Sequence, residues 1–291
     1  MSKRHSQVFT IATVFMGVLN PLTPCIAAEL HLPIRAADFT VVLDPGHGGT
    51  DLGASYREGK TNVRSKYFTE KEAVLGLAKE TKRQLEKKGY PVLLTRDRDA
   101  DIALNARTAI ANRAGAKIFV SIHMNSLPGA KNQRGADGVE TYILNSTSDR
   151  TSTRLAELEN KGLSPTKGSK SAGDAEVNLI LKDMTLDGNL SESKRLACAF
   201  QGHLTDITKQ KARGVKQALF VVLLGADMPT TLIEAGFVTS ENDRKLISSE
   251  HGVRAMGAAL VRAIEQFRTN QGTDAARQEL TRCLVSEHSS R

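Results

Sequence analysis

Two histidines and a glutamate each follow a short apolar run, at the position where a buried strand would end. These residues are His47, His123 and Glu234, and the runs span 39–43, 118–122 and 231–233. Each run has the length and the β-branched content of a buried strand. In open α/β sheets, ligands bind just outside the carboxyl ends of the strands. Two imidazoles and a carboxylate at those ends make a zinc-hydrolase site the first hypothesis.

The simpler interpretation is that each histidine is an ordinary hydrogen-bonded loop residue, which is the commoner role for a single histidine after a strand. His47, however, stands in a turn with Gly46, Gly48 and Gly49. Glycines permit backbone conformations closed to residues with a Cβ and allow close approach of a ligand or another chain. This turn favours a positioned imidazole, but spacing alone leaves both interpretations open.

A third zinc ligand is expected, because zinc in hydrolases takes three protein ligands and keeps a fourth position for water. We expect Glu70, in the first turn of a helix that starts with a capping-box pattern at 69–72. The alternative is that Glu70 only complements the helix dipole, a contribution of ~0.3–1 kcal/mol. Glu72 already fills the capping-box position, so Glu70 is free to point elsewhere. Glu234 then remains as the general base.

The first 28 residues have the pattern of an export signal, with Lys3 and Arg4 before a short apolar core and small residues at 26–28. A membrane anchor is the alternative, but the apolar stretch is shorter than the ~20 residues that span a bilayer. We expect the general secretory route and a periplasmic protein, or else secretion to the exterior, with no stable membrane span after cleavage. Cys198 and Cys283 then remain, and the sequence does not show whether they pair.

The composition predicts a soluble globular protein with a basic surface. The chain has 291 residues and 40% hydrophobic residues, enough for a sizeable core. Loss of Lys3 and Arg4 with the signal lowers the formal charge from +8 to +6, which still favours an anionic polymer or a membrane surface as partner. No motif indicates nucleic-acid binding, and export argues against it. Aromatic residues make up only 4%, so a large stacking platform is not expected.

Alternating strand and helix patterns predict the α/β class, with a mixed, largely parallel sheet and helices on both faces. Beyond the three runs, strands are predicted at 91–95, 139–144 and 218–224, and a surface loop at 51–68. Helices are predicted at 69–89, 103–114, 152–161, 175–185 and 193–211, from residue 240 or 241 onward, and at 253–267. We expect a linker at 29–38, a single catalytic domain at 39–268 with a helical regulatory insertion at about 145–193, and a polar tail at 269–291.

The same residues carry a resemblance to a known family. The matching stretches are 43–49 with Asp51, 53–54, 70–71, 95–97, Leu104, Arg107, 111–112, 119–123 with Asn125, 232–237 and Asn242. Together they resemble the zinc-dependent N-acetylmuramoyl-L-alanine amidases of the third amidase family, the cell-separation amidases of bacteria. Each stretch alone is weak, but they occur in the family's order over nearly the whole mature chain.

The resemblance implies one zinc ion held by His47, Glu70 and His123, with Glu234 as the catalytic carboxylate. It implies a peptidoglycan hydrolase in which zinc-activated water cleaves the amide between N-acetylmuramic acid and L-alanine of the stem peptide. Substrate contacts are expected from Asn125 and Arg107. No amino-terminal wall-binding domain and no carboxy-terminal repeat is recognisable, so localisation is expected to depend on the basic surface or on a partner.

The insertion occupies the place where several family members carry a helix that blocks the zinc until a protein activator removes it. We expect the same here, with Glu176 as an internal zinc ligand. The residues expected to dock near the site are Val177, Ile180, Leu181 and Met184. The alternative for Glu176 is an ordinary solvated carboxylate on a helix.

Two other functions are compatible with these residues. A zinc peptidase that cleaves other peptide amides would use the same water chemistry. A catalytically inactive wall-binding or regulatory homologue could share the fold, although the three ligands and Glu234 argue against that reading.

Overall fold

A six-stranded mixed sheet is the centre of the computed structural model, which describes residues 34–57, 67–126, 136–162 and 189–271 together with residues 273 and 283. The strands are β1 Val41–Pro45, β2 Ser55–Arg57, β3 Tyr67–Thr69, β4 Val92–Leu94, β5 Ile118–Asn125, β6 Val139–Leu144, β7 Ala212–Ala218 and β8 Thr230–Phe237. The order in the sheet is β4-β1-β5-β8-β6-β7, and β2 pairs with β3 in a separate hairpin.

Six α-helices accompany the sheet in the described part of the chain. They are α1 Glu70–Lys87, α2 Leu104–Arg113, α3 Arg150–Glu159, α4 Asn189–Thr208, α5 Glu241–Ser248 and α6 Glu250–Thr269. All described residues belong to one compact unit. The α/β class and the mixed, largely parallel sheet are therefore confirmed. None of the described helices is long and apolar enough to cross a membrane.

The strand directions bring the polar strand ends to one edge of the sheet. Strands β4, β1, β5 and β8 are mutually parallel, with register Asp44 to Ser121 and His123 to Glu234. Strand β6 runs antiparallel to β8, and β7 runs parallel to β6. The carboxyl ends of β1, β5 and β8 and the amino ends of β6 and β7 thus share one edge.

The two faces of the sheet bury separate apolar clusters, because successive side chains of a strand point to opposite faces. Val41 and Leu43 pack on the face covered by α1, α4 and α6. Val42 packs on the other face, where α2, α3 and the 3-10 turn Val221–Leu223 supply the apolar partners. Helices cover both faces, as expected.

Three local predictions were wrong. The strand predicted at 218–224 is the end of β7 followed by the turn Val221–Leu223, which buries its apolar side chains against the sheet face. A short buried run does not by itself distinguish a strand from a packed turn. The predicted surface loop contains the β2–β3 hairpin. Thr69 is the N-cap of α1, but its side chain makes no capping hydrogen bond. The boundaries 29–38 and 39–268 stay predictions.

A disulfide joins Cys198 in the middle of α4 to Cys283, across 85 residues of sequence. Cys198 is buried. Cross-linking two distant residues restricts the unfolded chain and stabilises the folded state, by about 2–4 kcal/mol in typical cases.

We predict that the double variant Cys198→Ala/Cys283→Ala loses about 2–4 kcal/mol of unfolding free energy, measured by urea denaturation. A reductant should produce a similar loss in the wild type and none in the double variant. Equal stability of the oxidised wild type and the double variant would show that the bond contributes nothing.

Candidate metal centre

Four potential metal ligands converge at the shared edge of the sheet. They are Nε2 of His47, a carboxylate oxygen of Glu70, Nδ1 of His123 and Oε2 of Glu159, and the four atoms lie within 4.8 Å of one another. Three of the four are the ligands predicted from the sequence. The fourth, Glu159, lies at the end of α3.

The turn after β1 aims His47 at this cluster. His47 has a left-handed backbone conformation with φ 59°, which is uncommon for a residue with a Cβ. A Cβ on Gly46 would lie 2.3 Å from the His123 ring, so only glycine leaves room for that ring. Oδ2 of Asp51 lies 2.8 Å from Nδ1 of His47. A carboxylate at one ring nitrogen fixes the tautomer and leaves the other nitrogen for a metal.

Two buried arginines hold the carbonyl groups of the same turn. Arg107 donates to Asp44 at 2.8 Å and to the carbonyls of Pro45 and His47 at 3.0 Å each. Arg96 also donates to the Pro45 carbonyl, at 2.9 Å. Burial opposes ionisation of Asp44, but Arg107 keeps the pKa of that carboxyl below its usual value. These bonds give Arg107 a structural role, and its contact with substrate stays a prediction.

Backbone amides direct the carboxylate of Glu70 into the cluster. Its Oε2 accepts from the amide of Ala54 at 2.7 Å, and its Oε1 accepts from the amide of Met124 at 2.9 Å. A Cβ on Gly53 would lie 2.6 Å from Oε2, so glycine is needed at that approach. Glu70 is fully buried, and its contacts belong to the donor cluster rather than to the solvated first turn of a helix.

Glu234 lies beside the donors in the sheet. It is the β8 partner of His123 in the parallel register, and it is fully buried. Neither carboxylate oxygen has a hydrogen-bond partner among the described residues. Burial, and then the nearby charge of Glu159, raise the pKa of Glu234 well above its usual value. A buried carboxyl with a raised pKa next to potential metal ligands has the properties of a proton-transfer group.

The electrostatics of the cluster call for positive charge. Burial opposes protonation of His123, but the carboxylates of Glu159 and Glu70 raise its pKa to about 10. Burial likewise opposes protonation of His47, whose pKa is raised by Glu70 and by Asp51. Buried carboxylates at this distance repel one another unless a cation lies between them. A bound metal cation would supply that charge.

Four of the donor–donor distances are also close to those found around a zinc ion. The pairs that involve His47 Nε2 are separated by 3.0 Å and 3.2 Å, and those that involve His123 Nδ1 by 3.1 Å and 3.0 Å. Ligands at zinc distances in a tetrahedron would be roughly 3.4 Å apart. Among the described residues, His47 Nε2 and Glu159 Oε2 are buried without a hydrogen-bond partner. The residues present therefore fit a metal ion.

Comparison with known proteins decides the family. Residues 41–266 match the N-acetylmuramoyl-L-alanine amidase family, Amidase_3. The chain belongs to this family. The resemblance inferred from the sequence motifs is thereby confirmed.

Individual members of the amidase family are similar over most of the chain. AmiC of Neisseria meningitidis serogroup B is 32% identical over 228 residues, which cover 78% of this chain and 52% of the relative. AmiA of Escherichia coli K12 is 29% identical over 229 residues, 78% of this chain and 75% of the relative. The crystal structure of an amidase from Clostridium difficile 630 superposes with a TM-score of 0.57 at 27% identity, covering 80% of this chain and 98% of that one. The chain thus spans about half the length of the Neisseria relative.

The amidase family assignment does not explain Glu159, which sequence reasoning missed. The residue is on the apolar face of α3, in line with the buried Ser152, Leu155 and Ala156. The sequence signal for Glu159 is a carboxylate placed three and four residues after the buried positions of an amphipathic helix, on its buried face. Glu176 and the predicted stripe at 177–184 lie outside the described residues, so the role of Glu176 stays a prediction.

A pocket of about 500 Å³ opens beside the donors. Its walls come from the turn after β1, residues 101–104, and the end of α3. Asn125, predicted to contact substrate, is buried, and its amide donates to Oε2 of Glu140 at 3.0 Å. A direct contact of Asn125 with substrate stays a prediction.

We predict that Glu70→Gln weakens zinc binding by more than about 100-fold, because ligand substitutions exceed the 10–100-fold cost of altering their supporting partners. The measurement is zinc content after dialysis against graded chelator concentrations. Glu72→Gln is the matched control, since Glu72 lies in the same helical turn and is exposed. Equal zinc retention by the two variants would remove Glu70 from the ligand set.

Proposed function

We propose that this chain is a zinc-dependent hydrolase of peptidoglycan that cleaves the amide between N-acetylmuramic acid and L-alanine of the stem peptide. The observation that carries the proposal is the convergence of His47, Glu70 and His123 beside Glu234, a buried carboxyl without a hydrogen-bond partner among the described residues. Membership of the amidase family supports the choice of amide.

The proposed mechanism divides the work between the ion and Glu234. Zinc, when bound by the two histidines and Glu70, supplies Lewis acidity for the amide carbonyl and lowers the pKa of water to about 7. Glu234 takes the proton of the attacking water and delivers it to the leaving amine of L-alanine. The raised pKa of Glu234 means that its carboxyl holds a proton more readily than an ordinary glutamate, which suits delivery of that proton to the leaving amine.

We propose further that α3 is autoinhibitory. A catalytic zinc site keeps one position open, whereas four protein ligands make a closed site. Glu159 Oε2 lies 3.2 Å from His47 Nε2 and 3.0 Å from His123 Nδ1, where a water or substrate oxygen would otherwise lie. Withdrawal of α3, promoted by a protein activator, would open the site. In this proposal Glu159 is the carboxylate that closes the site, and the role predicted for Glu176 stays a separate prediction.

The location proposed for this activity is the periplasm, with the cell exterior as the alternative. The substrate lies outside the cytoplasm, and the export pattern at 1–28 delivers the chain there. The Cys198–Cys283 bond is consistent with an oxidising compartment.

Digestion of purified muropeptides by the zinc-loaded chain tests the reaction. The expected products are a free L-alanine amine and an intact lactyl carboxyl, identified by mass spectrometry. Glu234→Gln should lower kcat by at least about 100-fold, because general acid–base groups contribute 10²–10⁴-fold, while zinc content stays the same.

Three results would contradict this assignment in different ways. New ends inside the stem peptide would indicate a peptidase. Binding to the wall without cleavage, by the wild type and by the Glu159→Ala variant, would indicate an inactive homologue. Full activity of Glu234→Gln would remove that residue from the mechanism.

We predict that Glu159→Ala raises basal activity about tenfold or more, because it frees the ligand position that a catalytic zinc site keeps open. The measurement is the initial rate of muropeptide cleavage without activator. Glu157→Ala is the matched control, since Glu157 lies on the exposed face of the same helix.

An unchanged rate in Glu159→Ala, with unchanged zinc content, would argue against autoinhibition by α3. It would leave the amidase assignment intact, because that assignment depends on the products of cleavage.

A further inference from the structure

A second charged cluster lies at the start of β6, next to the metal centre. The carboxylate of Glu140 is buried and receives donors from four side chains. These are Asn125 Nδ2 at 3.0 Å, Tyr142 OH at 2.7 Å, Arg213 Nε at 2.5 Å and Lys216 Nζ at 2.9 Å. Two cations thus share one carboxylate, which leaves a net positive charge.

The sheet topology places this cluster on the same face of the sheet as Glu234 and His123. Glu140 is the direct antiparallel partner of Glu234, so their side chains point to the same face of the sheet. Arg213 and Lys216 come from β7, the strand beyond β6. Their cationic groups contact Glu140 on β6, which is two strands from β5. Because neighbouring strands are ~4.7–4.9 Å apart, these groups lie roughly 10 Å from the donors on β5.

The geometry of the two cations leaves binding capacity. The guanidinium of Arg213 stacks on the ring of Phe237 at 4.9 Å, which fixes its plane. Within the described chain only its Nε is used in a hydrogen bond, so both terminal nitrogens can donate to a ligand. The side chains of Arg213 and Lys216 are each 25% exposed. Buried ion pairs are weak contributors to stability, so a role in folding alone is a poor explanation for two cations here.

Helix α3 carries one carboxylate to the metal ligands and another to the neighbourhood of Lys216. Asp149 is its N-cap and Glu159 its last residue, a separation of roughly 15 Å along the axis. Glu159 lies at the metal ligands. Hydrogen bonds from Ser152, with a smaller effect of the Lys216 charge, lower the pKa of Asp149. The closed helix therefore presents negative charge both at the metal ligands and near the cations of β7.

We propose that Arg213 and Lys216 bind a free carboxylate of the peptide substrate, two or three residues beyond the amide that is cleaved. This inference rests on the proposed function. An extended chain covers ~3.3–3.6 Å per residue, so three residues span the roughly 10 Å between the two clusters. Glu140 is the positioning residue that holds both cations at the substrate side of the sheet edge. Asp149 occupies the neighbourhood of Lys216 while α3 is closed.

The test compares muramoyl-tripeptides that differ only in one carboxylate. One substrate has free carboxylates, a second has the carboxylate of the second residue amidated, and a third has that of the third residue amidated. We expect one amidated substrate to have a kcat/KM at least tenfold lower than the free form. The ratio of kcat/KM for the free substrate to kcat/KM for the amidated substrate does not depend on the fraction of enzyme in which α3 is withdrawn. All substrates are assayed with the same enzyme preparation.

Charge-removing variants assign the preference to these side chains. Arg213→Gln/Lys216→Gln should lower the ratio to within twofold of unity, and Arg213→Lys should retain it. The matched control is Lys211→Gln, which removes an exposed charge just before the same strand and should retain the full preference. If the double variant does not fold, each single Gln variant should reduce the ratio severalfold.

Equal cleavage of all three substrates by the wild type would overturn the inference, as would a preference that survives both Gln substitutions. Absence of cleavage at the muramoyl–alanine amide would instead contradict the proposed function. In that case, the affinities of the three substrates for Glu234→Gln, measured by calorimetry, test the carboxylate-binding inference independently of cleavage. Tighter binding of the free carboxylate that depends on Arg213 and Lys216 supports it, and equal affinities refute it.

Discussion

The mutual repulsion of buried carboxylates is the constraint on which this structure depends. Glu70, Glu159 and Glu234 are gathered at one sheet edge, away from the water that would screen them. Such a group is stable only if protons or a cation compensate its charge. Two imidazoles supply nitrogen ligands suited to zinc, and the remaining carboxyl stays protonatable. The need for a cation and the capacity for proton transfer thus have the same origin.

The surrounding framework holds these groups against that repulsion. Arg96 and Arg107 bind the carbonyls of the turn that presents His47, and backbone amides bind Glu70. The left-handed conformation of His47 is strained, and these hydrogen bonds maintain it. Asp44 neutralises Arg107 within the same network. Buried charge pairs and backbone contacts therefore hold the potential metal ligands in place.

The sequence predicted His47, His123 and Glu234 because a strand end is both a sequence feature and a position in space. Parallel strands bring such ends together without knowledge of the tertiary contacts. Glu159 could not be placed in this way, since it reaches the centre only through the docking of α3 on the sheet face. The strand prediction at 218–224 was wrong for a related reason. Burial explained its composition, but the burial is that of a packed turn.

Glu140 and Glu234 show why residue type alone does not assign roles at this edge. They are direct partners in adjacent strands, yet their environments are opposite. Charges and hydrogen bonds from Lys216, Tyr142 and other donors offset the burial of Glu140 and keep its pKa low. Glu234 has no such donors in the described chain, and burial raises its pKa. Neighbouring carboxyls with separated pKa values divide into a fixed anion and a proton carrier. The two cationic donors come from β7, a strand that was predicted at 218–224 and lies at Ala212–Ala218.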